Sequence, residues 1–490
     1  MIKVNNIFTS IFAFLILGSF FLIYLLMFNV FNAHIFLDIS FIIIFIQLIY
    51  LILKHRKIID IHFYFFIFSF IYLLIIPYLV FNYPIDIYYG DLFRKLPISN
   101  MIYSNILVII GLNLYNLISI PIGYNRIDMK FNSNLKQVGK TKIIISLLII
   151  IGLASFFRLL ISYGLDLSIL FGYLENRSRG NFSDVYGKSY LKSLLFLFNI
   201  AFMLILYLYN GSKLGYTLLT FILFYFLIIL TLFDGQRLQT IGFIISAIII
   251  FRIKYLINFR FNKKNNTFGL KKFYLSSLNV RYILLTILLV LFAVIYGQYR
   301  SNNLGVGVTI GGIFENINVV LFYITNIFDS AITYPYVVNE ISNGESYWYG
   351  KSIFMPILNR VPTFLFPEKL DYMYGAAKFT SIFLNYDHNS DESVARSCNL
   401  FCNIYLNFGA AGIISSFILF SLIGNVLNKK LLNNYTNFFT VIIFVSTCAY
   451  IIPYAFKANI FQTISMFDIK IIGFLIIIMS VNIINRILIK

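Results

Sequence analysis

Arginine is the residue type in this chain whose placement most directly suggests chemistry. The chain is 60% hydrophobic and only 12% charged, yet several arginines lie in or beside its apolar segments. Arginine binds phosphate and diphosphate groups through paired, charge-assisted hydrogen bonds. We therefore predict a site for an anionic phosphate or diphosphate group. Its candidate residues are Arg158, Arg177, Arg179, Arg237, Arg300 and Arg360.

Arg158 differs from the others because it lies within an apolar run, IIGLASFFRLLIS. An arginine costs about 2.5 kcal/mol or more at the centre of a membrane span and less toward its edge. Two interpretations stay open for it. The side chain either snorkels to lipid headgroups or contacts an anionic substrate that arrives from the membrane.

A proline-rich segment, FMPILNRVPTFLFPEKLDYMYG, covers residues 354–375. Proline lacks an N–H and fixes φ, so these prolines prevent a continuous helix and favour a bent, rigid path. Arg360 and Lys369 bracket that path. We predict that this segment forms a wall of the anion site, with Lys369 as a further binding residue.

Acidic residues complement these cations within 298–402. A carboxylate there can act as a general base, although most of these acids are expected to be solvated loop charges. The sequence does not select one of them. The candidates are Glu315, Glu340, Glu345, Glu368, Asp371, Asp387, Asp391 and Glu392.

A polar face begins the apolar run CNLFCNIYLNFGAAGIISS. Asn403 and Asn407 are four residues apart and share a helix face, and Tyr405 lies beside them. Gly409 and Gly412 allow close contact between helices. These residues either serve packing alone or form a substrate-binding surface, with Asn403 and Tyr405 as its candidates.

Several kinds of chemistry have no motif here. The chain has no Walker loop, no GxGxxG after a strand and no HExxH, and it has only 4 histidines and 3 cysteines. Cys398 and Cys402 at i, i+4 on one helix are poorly placed for a disulfide, so we predict that they and Cys448 are small packing residues. We expect no metal and no cofactor.

The elements that must position these residues are membrane-spanning helices. A soluble domain is about 45–50% apolar and about 25% charged, so this composition predicts an all-α polytopic integral membrane protein. We predict about twelve spans by the 20-residue criterion. They lie near 7–31, 35–53, 61–81, 101–120, 142–163, 191–209, 214–232, 238–256, 282–297, 403–424, 437–455 and 470–487.

Clusters of lysine and arginine set the orientation of these spans. The clusters follow spans two, four, eight, ten and twelve, which all end on one side, and that side is the cytoplasm by the positive-inside rule. Both termini are then cytoplasmic. The net charge of +19 is explained by these loops, so we expect no nucleic-acid partner.

One large loop lies outside the membrane in this topology. The chain divides into 1–297 with spans one to nine, the extracytoplasmic loop 298–402, and 403–490 with spans ten to twelve. A loop of this length without structure is uncommon unless functional. Its amphipathic stretches 313–332 and 372–386 predict short helices.

Three motifs in order resemble a known family. They are Gly235-Gln236-Arg237 before a span, the stretch from Arg360 to Lys369 in a large outer loop, and Tyr405 to Gly412 at the start of the next span. Together they resemble oligosaccharide repeat-unit polymerases of the O-antigen polymerase (Wzy) type. Such enzymes often carry a glutamate where this chain has Asn403.

The resemblance implies a metal-independent, GT-C-like glycosyltransferase in the bacterial plasma membrane. It would transfer a growing glycan from undecaprenyl diphosphate to a new lipid-linked repeat unit on the outer face, for O-antigen or capsule. Arg360, Arg300 and Arg237 are its expected catalytic contacts, and Arg158, Arg177 and Arg179 its expected binding contacts. A chain-length regulator and a flippase are the implied protein partners.

Three alternatives stay open. An O-antigen ligase has a similar layout and would depend on a loop histidine, for which His388 is the candidate. A flippase or transporter should carry ionisable groups within several spans. A membrane protein with a purely structural role is the third.

Overall fold

The computed structural model describes part of the chain, and all regular structure in that part is helical. The described residues are 17–19, 23, 33–55, 60–82, 97–119, 137–162, 189–208, 242–243, 245–250, 253, 329–350, 365, 399–433 and 438–457. The helices are α1 (Ala33–His55), α2 (Ile61–Asn82), α3 (Ile98–Ser119), α4 (Gln137–Ser162), α5 (Ser189–Leu208), α6 (Thr333–Ser342), α7 (Leu400–Asn433) and α8 (Phe438–Lys457).

Helices occur at most of the predicted spans that fall on described residues. The predicted spans 35–53, 61–81, 101–120, 142–163, 191–209 and 437–455 correspond to α1, α2, α3, α4, α5 and α8, with ends that differ by a few residues. The predicted spans 214–232, 282–297 and 470–487 lie outside the described residues, and 7–31 and 238–256 are described at only a few positions.

Three helices of the described part are long and apolar enough to cross a membrane. They are Ile61–Leu79, Ile98–Ser119 and Leu400–Leu431. Shorter apolar helices cover Asp38–Gln47, Ile144–Ser155, Leu197–Tyr207 and Thr440–Phe456. By length and composition, the described part of the chain therefore contains three candidate membrane-spanning helices.

Helices α2 and α8 share an unusual wide turn. A π-helical segment occupies Ile71–Ile75 in α2 and Thr447–Ile451 in α8. Each runs into an Ile-Ile-Pro-Tyr sequence, with Pro77 and Pro453 in the turn that follows. Because proline cannot donate the backbone hydrogen bond of a regular helix, the ladder is interrupted at these positions.

Helix α7 is bent sharply at a single residue. Gly409 has φ 60° and ψ −150°, a conformation that is almost restricted to glycine. The rings of Phe401 and Phe417 lie 4.9 Å apart between centroids, whereas sixteen residues of straight helix would separate them by about 24 Å. Residues 400–408 therefore fold back along the first turns of 410–433. Helix α7 is therefore a helical hairpin. The predicted span 403–424 lies within the candidate span Leu400–Leu431, but its residues 403–408 belong to the arm before the bend.

The buried start of this hairpin is capped within the protein. Asn399, which is 0% exposed, accepts a hydrogen bond on Oδ1 from the backbone N of Cys402 at 2.8 Å. Its Nδ2 donates to the backbone oxygen of Ser330 at 2.7 Å. Helix starts leave N–H groups without helical partners, and this cap allows the chain to begin a helix inside the bundle.

Chain contacts divide the protein into two compact units. The first comprises Met1–Pro84, Tyr88–Ile144 and Phe328–Lys490, and the second comprises Ile85–Ile87 and Ile145–Ile327. In the second unit, Phe202 packs on Phe243 with ring centroids 4.3 Å apart, and Gly152 faces the ring of Phe198. The following description concerns the first unit unless stated otherwise.

The core of the first unit is aromatic. Phe65 stacks on Tyr115 with centroids 4.6 Å apart and lies 5.9 Å from Phe417. Phe456 of α8 lies 5.2 Å from Phe401. These side chains are buried, so α2, α3, α7 and α8 share one packed interior.

Helices α3 and α7 pack closely and run in the same direction after the bend. Gly111 faces the ring of Phe417, and Ser421 Oγ donates to the backbone oxygen of Tyr115 at 3.0 Å. The contact residues on both helices advance together along the chain, which is the pattern of a parallel pair.

The described part of the loop 298–402 contains one helix that the sequence did not predict. Helix α6 lies within this loop and directly follows a 3-10 segment at Asp329–Ile332. Of the predicted stretch 313–332, only that 3-10 segment is described, and 372–386 lies outside the described residues.

One cysteine prediction is wrong. Cys402 is disulfide-bonded, whereas we expected a thiol. The expectation assumed two cysteines on one helix, but α7 begins at Leu400, after Cys398. Cys448 is a free, buried cysteine, as predicted.

Candidate functional site

A group of tyrosines converges beside the bend in α7. Tyr405 lies 5.9 Å from Tyr334 of α6 and 6.3 Å from Tyr347 between ring centroids. Tyr103 of α3 interacts with both Tyr405 and Tyr334. We call Tyr103, Tyr334, Tyr347 and Tyr405 the tyrosine cluster. Three helices and one turn contribute to it, so it exists only in the folded chain.

The turn that carries Tyr347 is fixed at both ends. Helix α6 ends in a Schellman motif, with Gly344 N donating to Ile341 O at 3.2 Å and Glu345 N to Glu340 O at 3.1 Å. Gly344 has φ 109°, which this motif requires of its residue after the helix end. Farther on, Trp348 N donates to Leu406 O at 2.8 Å. The turn is thereby held against residues 400–408.

Asn403 and Asn407 build the other support of this turn. Asn407 Nδ2 donates to Asn403 Oδ1 at 3.0 Å and to its backbone oxygen at 2.7 Å. Asn407 Oδ1 accepts from Gly350 N at 2.8 Å. The predicted shared face of the two asparagines is confirmed. Both are buried, and these bonds give them a scaffolding role.

The bend at Gly409 brings the chain directly under Tyr347. A Cβ placed on Gly409 would lie 3.0 Å from the hydroxyl oxygen of Tyr347. Glycine is therefore needed here for two reasons, its backbone conformation and the closeness of the phenol.

Polar groups continue from the cluster along α3 and α6. Asn100 Nδ2 donates to Asn339 Oδ1 at 2.7 Å, and Asn339 Nδ2 donates to Glu340 Oε1 at 3.1 Å. Tyr336 also hydrogen-bonds Glu340. Among the acids that the sequence offered as general bases, the described part of the chain includes Glu340 and Glu345, and Glu340 is the one that side chains of α6 hold by hydrogen bonds.

The phenols of α6 are proton donors at neutral pH. Burial, together with the neighbouring Glu340 carboxylate, raises the pKa of Tyr336 to about 12. Burial, followed by Tyr405 and Tyr103, raises the pKa of Tyr334 well above its usual value. Both groups therefore keep their protons, and each can donate a hydrogen bond to a ligand or a neighbour.

A second polar group, the His62 cluster, lies at the other end of α7. It consists of Asp60, His62, Tyr115, Asn425 and Asn428. Asp60 Oδ1 caps α2 by accepting from His62 N at 2.9 Å, and it also accepts from Asn428 Nδ2 at 2.6 Å. His62 Nδ1 lies 2.7 Å from the Tyr115 hydroxyl, and His62 Nε2 lies 2.9 Å from Asn425 Oδ1.

The hydrogen bonds of Asn425 identify one donor nitrogen of His62. Asn425 Nδ2 donates to the backbone oxygen of Ile118 at 3.2 Å, so Asn425 Oδ1 is the acceptor toward the imidazole. His62 Nε2 is then the donor to Asn425, and Nδ1 pairs with the Tyr115 hydroxyl. These hydrogen bonds connect α2, α3 and α7, so the His62 cluster stabilises the packing of the three helices.

Most of the cations predicted for the anion site fall outside the described residues. They are Arg177, Arg179, Arg237, Arg300, Arg360 and Lys369. Arg158 is described, with an exposed side chain on α4 in the second unit. Asn403 and Tyr405 are the predicted binding residues that the structure brings into the site.

Sequence analysis missed Tyr103, Tyr334 and Tyr347. A short helix was not predicted at 333–342, although Tyr334, Val337 and Val338 recur there at helical spacing. That spacing would have predicted α6, and the convergence of the tyrosines depends on long-range packing. No protein-family model, curated protein or solved structure matches the chain.

Proposed function

We propose that this protein polymerises undecaprenyl-diphosphate-linked oligosaccharide repeat units on the outer face of the bacterial plasma membrane. The observation that carries the proposal is the tyrosine cluster, together with the Glu340 carboxylate on α6, the helix that also carries Tyr334. Tyr103 and Tyr347 are the partly exposed members of the cluster. Exposed rings that carry hydroxyl groups suit a glycan, whose faces are apolar and whose rim is polar. The tyrosine cluster lies at one end of α7, and the His62 cluster lies at the other.

The placement of this end outside the cell rests on two features of α7. Cys402, in the arm that leads to the bend, is disulfide-bonded, and disulfides persist in oxidising compartments. Lys429 and Lys430 lie at the opposite end and are exposed, as the positive-inside rule expects of the cytoplasmic side.

The reaction requires one bond to form and one to break. A hydroxyl oxygen of the acceptor repeat unit attacks the anomeric carbon of the donor glycan. The bond from that carbon to the phosphate oxygen breaks, and undecaprenyl diphosphate leaves with the electron pair. The hydroxyl proton passes to a carboxylate, for which we propose Glu340.

Stabilisation of the leaving diphosphate is assigned to the predicted arginines. Removal of one contact to a developing negative charge typically costs about 10²–10³ in rate. Arg360, Arg300 and Arg237 are the proposed contacts, because arginine binds diphosphate through paired, charge-assisted hydrogen bonds. The reaction has no step that requires ATP, because the diphosphate is already a good leaving group.

One structural feature favours a second candidate, a flippase or transporter. Interrupted helices often line the substrate sites of transporters, and α7 is bent at Gly409 while α2 and α8 contain π segments. An O-antigen ligase is the third candidate and differs from the polymerase only in its acceptor.

Deletion of the gene separates these candidates by the glycans that remain. Loss of a polymerase leaves surface glycans that end after one repeat unit. Loss of a flippase leaves lipid-linked units on the cytoplasmic face, and loss of a ligase leaves long polymer on undecaprenyl diphosphate. Size analysis is expected to give the first result, and either of the others contradicts the proposal. Complementation with His388→Ala is expected to restore full-length chains.

A further inference from the structure

Three consecutive aromatic residues project from the turn after α6. Tyr349 is 78% exposed, and Tyr347 and Trp348 are half-buried. The rings of Tyr347 and Tyr349 stand edge to face, with centroids 6.2 Å apart and planes at 64°. We call Tyr347, Trp348 and Tyr349 the aromatic ledge.

The backbone of the ledge is held in an unusual conformation. Tyr349 has φ 48°, a left-handed conformation that is an outlier for a bulky side chain. The residues on either side are anchored, Trp348 N on Leu406 O at 2.8 Å and Gly350 N on Asn407 Oδ1 at 2.8 Å. The fold thus imposes strain at the residue of the ledge whose ring is most exposed, which points to a use for that ring.

The ledge follows polar residues in the chain and adjoins the tyrosine cluster. Ser342, Asn343, Glu345 and Ser346 precede it and are exposed. Tyr347 also belongs to the tyrosine cluster, in which Tyr334 is buried, with 1% of its surface exposed. The hydroxyl of Tyr334 has no hydrogen-bond partner among the described residues. A buried donor of this kind normally finds a partner, and a bound ligand hydroxyl can supply one.

This combination fits a sugar better than a lipid chain. Pyranose rings present apolar C–H faces to aromatic rings and hydroxyls to polar rims. A hydrocarbon environment would oppose the Glu345 carboxylate next to the ledge. We propose that the ledge binds the sugar rings of the lipid-linked repeat unit and guides the glycan to the tyrosine cluster. This inference rests on the proposed function, of which it names the glycan-binding surface.

Trp348 supplies a direct fluorescence signal for this binding, because it is the single tryptophan of the chain. The full-length protein in lipid nanodiscs is titrated with the lipid-free repeat-unit oligosaccharide, which mild acid releases from the undecaprenyl-diphosphate-linked units of the host. We expect a saturable change in Trp348 emission. The change requires no turnover, so it is independent of polymerase activity.

Two variants of Tyr349 separate the ring from the backbone strain. Asparagine tolerates the left-handed conformation, so Tyr349→Asn keeps the turn and removes the ring. We expect it to weaken binding about tenfold. Tyr349→Phe keeps the ring and should bind within about twofold of the wild type. Because Tyr349 is exposed, Tyr349→Phe should unfold at the wild-type temperature. Tyr349→Asn should unfold at the same temperature or slightly above it, because asparagine relieves the backbone strain.

The inference fails if sugar leaves Trp348 emission unchanged, or if Tyr349→Asn binds as tightly as Tyr349→Phe. Emission that responds to the lipid composition of the nanodisc and not to sugar would identify the ledge as a membrane anchor and overturn it. If the purified protein polymerises repeat units but the ledge binds no sugar, this inference is wrong and the proposed function stands. If the ledge binds sugar but the protein does not polymerise repeat units, the proposed function is wrong and the sugar-binding role of the ledge stands.

Discussion

Gly409 is the residue on which the shape of the site depends most. Its φ of 60° and ψ of −150° are almost restricted to glycine, and a Cβ would approach the Tyr347 hydroxyl to 3.0 Å. We expect Gly409→Ala to cost about 2–4 kcal/mol of stability, since backbone strain and a steric contact add. Thermal unfolding in detergent micelles measures this loss.

Gly18 provides the matched control for that substitution. A Cβ on Gly18 would have no atom within 4 Å, so Gly18→Ala should leave the unfolding temperature within experimental error or slightly higher. Equal unfolding temperatures for Gly409→Ala and the wild type would show that the bend is not as described.

The His62 cluster gives a second prediction at the scale of single residues. Asp60→Ala removes the cap of α2 and leaves the buried amide of Asn428 without its acceptor. We expect a loss of about 2–4 kcal/mol. Asp38→Ala is the control, because Asp38 is an exposed carboxylate that accepts from Tyr78 at 2.6 Å. Asp38→Ala should lower the free energy of unfolding by less than about 1 kcal/mol. A similar loss for both variants would argue against a stabilising, buried His62 cluster.

At the scale of elements, the hairpin in α7 makes a prediction that a straight helix does not. Phe401→Cys with Phe417→Cys, in a variant without native cysteines, should be joined by a thiol cross-linker of about 8 Å. The rings of these residues lie 4.9 Å apart, against about 24 Å in a straight helix. Peptide mass spectrometry detects the link.

Ile413→Cys with Lys429→Cys is the control pair, since its sites are also sixteen residues apart but lie on the straight part of α7. No link should form there. A link at the control pair, or none between positions 401 and 417, contradicts the hairpin.

Hydropathy predicted the helices and missed this hairpin for a physical reason. The run from Leu400 to Leu431 has a mean hydropathy of 2.0, and an average over such a window carries no information about one dihedral angle. The spacing of Asn403 and Asn407 did predict their shared face, because that is a local property of a helix. The meeting of Tyr334 with Tyr405 depends on how α6 packs on α7, which local spacing does not determine.

At the scale of the whole molecule, the proposal requires the two ends of α7 to face different compartments. Asn343→Cys should react with a membrane-impermeant maleimide in intact cells, because this exposed residue lies in the turn over the site. Lys430→Cys should react only after lysis, as expected for a basic cytoplasmic end. Both variants are made without the native cysteines. Labelling of Lys430→Cys in intact cells would place that end outside the cell and contradict the proposed topology.

Polymer formation by the purified protein tests the central claim most directly. The protein in nanodiscs is given undecaprenyl-diphosphate-linked repeat units alone, without ATP or any other enzyme. We predict glycans longer than one repeat unit, with one undecaprenyl diphosphate released for each bond formed, and a rate about 10²–10⁴ lower for Glu340→Gln if this carboxylate is the base. Intact substrate and no longer glycan with the folded wild-type protein would contradict the proposed function.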